Sequence, residues 1–286
     1  MDALNPQLTQ PAEGGRTELT IRKPDDMHLH LRDDAVLASV VSLSAAWAGR
    51  AIIMPNLQPP VVNAEMAVGY RQRIMAALPA DTTFDPLMTI YLTDVTSPED
   101  VAAAKATGVI YAFKLYPAGA TTNSEHGVTD LMRLVPTFRA MEEHGMVLCI
   151  HGEVVDPEVD FFDRETVFVE TKLGAVLAQC PNLKVVLEHA TTRAAVEFVK
   201  ASKHPGGIGC TITPQHLLYN RNALFAKGLN PHFFCLPILK REEDRLALMS
   251  AATSGDPRFF AGTDSAPHME ANKLSCCGHA GCFSAR

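Results

Sequence analysis

Pro24-Asp25-Asp26-Met27-His28-Leu29-His30-Leu31-Arg32-Asp33 forms the first strand-like run of the chain, and its reading decides the fold. Successive strand side chains point to opposite faces, so residues two apart share one. His28 and His30 then stand on one face with Arg32 one step further along, while Leu29 and Leu31 fill the other. Two imidazoles on one strand face can grip a single metal ion, and a packed core has little reason to place them there. The plain alternative is an ordinary strand carrying two hydrogen-bonded histidines. An open, doubly wound sheet would advertise a glycine-rich turn after its first strand; here that turn is rich in histidine.

Outward from this segment, short apolar runs alternate with amphipathic stretches, the pattern of a parallel βα fold. Strands are predicted at residues 26–31, 50–54, 86–92, 112–116, 147–151, 184–189, 209–212 and 258–262, and helices at 35–48, 64–78, 129–144, 163–179, 192–202 and 242–253. Pro136 is expected to kink or divide the helix at 129–144, and Ser97-Pro98-Glu99-Asp100 is a capped helix start. Without a linker, low-complexity tract or solenoid repeat, eight strands in one core predict an α/β fold of the (β/α)8 TIM-barrel type, whose active site lies where the strands end. The chain has 286 residues, 47% of them apolar and 20% charged, which suits a globular enzyme. A net charge of -7 gives no electrostatic reason to expect nucleic acid or an anionic membrane as partner. Residues 1–18 are expected to form a loose leader and 19–286 a single domain. No basic start with an apolar block precedes them and no run reaches the length of a membrane span, so a cytoplasmic protein is expected. Seven cysteines, four of them in apolar contexts at 149, 180, 210 and 235, suggest buried thiols rather than disulfides. The run Cys276-Cys277-Gly278-His279-Ala280-Gly281-Cys282 resembles a zinc knuckle but lacks a second, distant ligand pair.

The predicted strand ends carry His28 and His30, Asn56, Lys114, His151, His189 and Asp264. Each has a bland explanation alone: an interior hydrogen-bonded histidine, or an aspartate capping a helix. A lysine in an apolar strand is harder to dismiss, because an unpaired buried ammonium is costly. Together they point to two metal ions, with His28, His30 and Asp264 holding one and His151 and His189 the other. Zinc suits such ligands, although manganese or cobalt could occupy a similar site. A lysine with depressed pKa could react with carbon dioxide, and the resulting carbamate on Lys114 could bind both ions; the alternative is a cationic substrate clamp.

The ensemble resembles the amidohydrolase superfamily and, within it, the short homodimeric dihydroorotases. The resemblance runs from about residue 20 to 283 through the His28 segment, Met54-Pro55-Asn56-Leu57-Gln58-Pro59-Pro60, Lys114-Leu115-Tyr116-Pro117-Ala118, Ala120-Thr121-Thr122-Asn123-Ser124, His151-Gly152-Glu153, Glu188-His189, Thr211-Ile212-Thr213-Pro214-Gln215-His216, Cys235-Leu236-Pro237-Ile238-Leu239-Lys240-Arg241 and Gly262-Thr263-Asp264-Ser265-Ala266-Pro267-His268. It implies reversible cyclisation of N-carbamoyl-L-aspartate to L-dihydroorotate in pyrimidine biosynthesis, with two zinc ions, a carbamylated Lys114 and a possible homodimer. It also implies that Asp264 acts as general base and then general acid. By the same resemblance Arg32, Asn56 and His268 hold the substrate carboxylate, backbone groups at Leu236 and Ala280 meet the ring, and Thr121 and Thr122 lie on a closing loop. Family members continue past Cys282-Phe283, so a barrel without its last outer helix and C-terminal extension is expected. A hydantoinase or allantoinase on the same scaffold is one alternative; a catalytically impaired remnant serving as a metal-binding partner subunit is the other.

Overall fold

In a computed structural model, which describes residues 7–8 and 19–284, eight parallel strands follow one another around a nearly closed barrel. They are β1 (Asp25–Leu29), β2 (Arg50–Ile53), β3 (Asp85–Tyr91), β4 (Ile110–Leu115), β5 (Val147–His151), β6 (Lys184–Glu188), β7 (Ile208–Ile212) and β8 (Phe259–Ala261). From β2 onwards each pairs with its predecessor in the chain. The expected leader lies outside the described residues apart from Gln7–Leu8, which pair antiparallel with Leu19–Thr20.

The outer layer follows from apolar stripes facing the sheet. Helices α1 (Asp34–Trp47), α2 (Ala64–Ala77) and α3 (Pro98–Ala106) carry side-chain caps from Asp33, Asn63 and Ser97. At α3 the expected cap is a reciprocal box: Ser97 Oγ accepts from Asp100 N and Asp100 Oδ2 accepts from Ser97 N. Pro136 begins a helix rather than kinking one. A 3-10 turn at Leu131–Leu134 leads into α4 (Val135–His144), where the proline occupies the first turn and its missing N–H is harmless. The helix expected at 163–179 is α5 (Arg164–Phe168) and α6 (Gly174–Gln179) joined through a π turn at Val169–Leu173. Then come α7 (Arg193–Ala201), α8 (Pro214–Leu218), α9 (Glu242–Ala252) and α10 (Glu270–Lys273). Among the described residues only the four-residue α10 follows β8, so a full eighth outer helix is absent there.

One continuous apolar cluster lies between the strands and the helices, with Leu29, Ile53, Phe113, Leu148 and Leu187 packed against Val41, Ile74, Phe138 and Val196. The barrel axis is polar by contrast: Asp26, His28, Lys114, His151 and Glu188 are all buried. Apolar burial outside the sheet thus supports the fold while leaving the strand ends free for charged groups.

Candidate active site

At the mouth of the barrel, β1 carries His28 to its end and His30 just beyond it. The register of β1 slips between Asp26 and Leu29, and the strand stops at Leu29, two residues short of the predicted end. His30 N–H then donates to Ser265 O at 3.1 Å. Asp264, past β8, completes a compact group: Nε2 of His28 and His30 are 3.2 Å apart, and Asp264 Oδ1 is 3.0 Å from His30 Nε2 and 3.3 Å from His28 Nε2. Burial opposes charge on His28, yet the carboxylates of Glu188 and Asp264 prevail and push it up to about 9. Burial dominates at His30, which falls to about 4. Asp264 is held well below the usual carboxylate range, the two imidazoles overcoming its desolvation. Two nitrogens and a carboxylate oxygen converging in this way form a donor set that a divalent cation fits.

His151, ending β5, and His189, following β6, stack edge to face with ring centres 4.8 Å apart; His189 is 4.9 Å from the His28 ring. His189 Nδ1 is buried without a hydrogen-bond partner, and burial together with Lys114 keeps the ring neutral. Lys114 is fully buried on β4 beneath this group, its Nζ paired with Glu188 Oε2 and 4.8 Å from the centre of the Tyr116 ring. A group so enclosed does not serve as an exposed substrate clamp.

Glu188 was not singled out from sequence. Burial opposes its ionisation, but His28 and Lys114 bring it down to about 2. Its Oε1 lies 3.1 Å from His28 Nδ1, without hydrogen-bond geometry. Strand alternation assigns Glu188 and His189 to opposite faces. The strand ends between them, however, and a φ of +40° at His189 turns its ring into the site. Arg32, Asp264 and Asn123 share this left-handed backbone, a concentration of strained residues typical of functional sites. Glu153 is the second omission. Its Oε2 lies 2.7 Å from His151 Nε2, which commits that nitrogen and leaves Nδ1 available to an ion, the carboxylate–imidazole support seen behind metal ligands. Its nearness to His151 in the sequence was the available signal.

The cleft above is lined by His28, His30, Arg32, Asn56, Tyr116, Thr121, Thr122, His151, His189, Leu236, Asp264, Ala266, Ala280 and Gly281. Of the residues expected in the site, only Lys114 and His268 lie behind this lining. Arg32 Nε donates to Pro267 O at 3.1 Å, and Nη2 is 3.1 Å from His268 Nε2. That same nitrogen is 2.8 Å from Ala280 O and cannot serve both. A carbonyl only accepts, so Nε2 carries the hydrogen; burial and Arg32 hold His268 down at about 4, leaving the ring a neutral donor. Asn56 Nδ2 donates to Thr122 O at 3.1 Å, and Asn123 returns a bond to Asn56 O at 3.0 Å. Asn56 therefore fastens the Thr121–Thr122 loop to the barrel as well as lining the cleft. Cys149, Cys180, Cys210 and Cys235 are buried free thiols. Among the described residues the terminal cysteines join no candidate metal cluster.

The amidohydrolase family model matches residues 25–284. The dihydroorotase of Ralstonia nicotianae is 60% identical over 93% of this chain and 77% of its own length. Among solved structures, dihydroorotase from Campylobacter jejuni superposes with a TM-score of 0.83 at 40% identity, covering 92% of this chain and 73% of that one. Dihydroorotase from Saccharomyces cerevisiae in complex with 5-fluoroorotic acid also gives 0.83, at 35% identity over 92% and 74%. The L-hydantoinase of Arthrobacter aurescens, at 15% identity and a TM-score of 0.73 over 92% and 63%, shares the fold alone.

Proposed function

This chain belongs to the dihydroorotase family of the amidohydrolases, and from that premise we propose how its cleft interconverts L-dihydroorotate and N-carbamoyl-L-aspartate. The observation that carries the proposal is the joining, in one cleft, of a group able to hold a cation at His28, His30 and Asp264 with the guanidinium-bearing Arg32 in the same lining. His28, His30 and Asp264 would hold one zinc ion and His151 and His189 the other, and Lys114, as a carbamate, would supply further oxygen ligands. When bound, such a pair polarises the ring carbonyl and makes water acidic near neutral pH.

The remaining steps belong to the protein's own groups. Arg32, held at Nε by Pro267 O, presents Nη atoms suited to a carboxylate. His268 steadies the Ala280 carbonyl beside it. Backbone groups at Leu236 and Ala280 border the ring, and the Thr121–Thr122 loop excludes water. Asp264, buried yet ionised, accepts a proton from the attacking water and returns it to the departing ring nitrogen; cyclisation reverses the order. A hydantoin ring lacks the carboxylate that Arg32 would engage, which disfavours the hydantoinase alternative. We take the working form to be a cytoplasmic homodimer of single barrels spanning residues 19–286.

Assay of the metal-loaded chain on dihydroorotate, hydantoin and allantoin tests the substrate. Turnover of dihydroorotate is expected, and turnover of only the other two overturns the proposal. Asp264→Asn should lower kcat by about 10²–10⁴-fold, and Lys114→Ala should lose metal and rate together. Two bound metals with no turnover in the unaltered chain would favour the remnant alternative.

A further inference from the structure

Two segments that lie outside the named strands, one carrying Leu236 and the other Ala280, line the cleft together with the candidate metal ligands. Gly281 N–H donates to Phe234 O at 3.0 Å, joining them directly. A Cβ at Gly281 would lie 2.7 Å from Ala266 O, so the second segment rests flush against the end of the barrel. One side chain secures both. Lys273, on α10 and 6% exposed, sends Nζ to Phe234 O at 2.8 Å, His279 O at 2.8 Å and Gly281 O at 2.9 Å.

An ammonium has three hydrogens and no acceptor, and here each meets a carbonyl. A buried ammonium is costly to install. Anchoring a short helix alone would be served as well by an apolar side chain. The three carbonyls are not arbitrary: two flank Ala280 and the third lies two residues before Leu236. Ala280 in turn accepts from His268 Nε2 at 2.8 Å, and His268 lies 3.1 Å from Arg32.

We propose that Lys273 is a positioning residue that sets affinity for the cyclic substrate by fixing the main chain at Leu236 and Ala280, without itself touching the substrate. This rests on the proposed function for the role of those two segments. Lys273→Met keeps the length of the side chain and removes its donors. In the metal-loaded protein it should raise KM for dihydroorotate by about tenfold with kcat within about twofold. It should also speed hydrogen exchange at the Gly281 amide by about tenfold or more. Lys273→Arg, which retains donors, should restore much of the KM. A purely structural role would instead lower Tm and the active fraction while leaving KM unchanged, and that result overturns the proposal. If Lys273→Met does not fold, Lys273→Arg and Lys273→Gln decide: KM rising from wild type to Arg to Gln supports it, and equal values overturn it. If the unaltered chain does not turn over dihydroorotate, the proposed function fails separately. The role of Lys273 as a fastener is then decided by Gly281 exchange, accelerated exchange supporting it and unaltered exchange overturning it.

Discussion

An imidazole enclosed between two carboxylates holds its proton tightly, and His28 is in that position, with Glu188 facing Nδ1 and Asp264 facing Nε2. A metal ligand must offer a lone pair, so an ion binding at Nε2 displaces the proton there while Nδ1–H continues to face Glu188. The sign follows from the raised value. Below about 9 the metal-free ring is charged, so apparent zinc affinity should rise with pH until about that point and then level off. His30, held at about 4 by burial, contributes nothing near neutrality. Titration with zinc in weakly buffered, carbonate-free solution should release about one proton per chain from this ring at pH 7.5, and release should fade towards pH 10. Release that persists undiminished would assign the proton elsewhere. The candidate ligands were legible because histidine, lysine and aspartate stand out at the ends of apolar strands. Glu188 was not, because the alternation that reveals His28 and His30 fails where the backbone turns left-handed at His189.

The elements that position these residues are held closely enough that one methyl group matters. A Cβ at Gly262 would lie 2.8 Å from Thr211 Cβ and 3.0 Å from His28 Cβ, so β8 approaches β1 and β7 only because this residue lacks a side chain. Gly262→Ala should therefore displace His28, costing about 1–3 kcal/mol in stability from overpacking and about tenfold or more in metal affinity. Zinc titration beside thermal melts checks this; unchanged affinity would mean that the barrel absorbs the methyl elsewhere. The loop after β6 is fixed differently. The Glu165 carboxylate accepts from the backbone and hydroxyl groups of both Thr191 and Thr192, tying His189's neighbours to α5. The eight strands and most outer helices could be read from periodicity and caps. The turns at Arg221–Leu224 and Pro231–Phe233, together with α8 and α10, could not. They have too few turns to show an apolar stripe and are held by tertiary contacts such as those of Lys273.

A barrel must join its last strand to its first, and here the closing bonds coincide with the site. Asp264 N–H donates to His28 O at 2.9 Å and His30 N–H to Ser265 O at 3.1 Å, so backbone closure and the gathering of three candidate ligands are one event. Behind these bonds Asp26, buried on β1, accepts from His28 N at 3.1 Å, Thr263 N at 2.8 Å and Thr263 Oγ1 at 2.6 Å. Burial raises the pKa of this carboxyl, and the three donors oppose the rise. Cys282 adds a further layer by accepting from Ala266 N at 2.8 Å, where a long outer helix is absent among the described residues. Replacing Asp26 by alanine would strand three buried donors at the seam, each worth about 1–3 kcal/mol. Some would find water as the seam relaxes, so a net loss of about 2–5 kcal/mol is expected. Because the seam also sets the spacing of His28 and Asp264, the variant should lose zinc affinity in parallel with stability, and saturating zinc should recover part of the melting temperature. Asp26→Asn, which retains acceptor capacity at one oxygen, should fall between the two. An alanine variant that melts like the unaltered chain and binds zinc equally well would show that the barrel closes without Asp26.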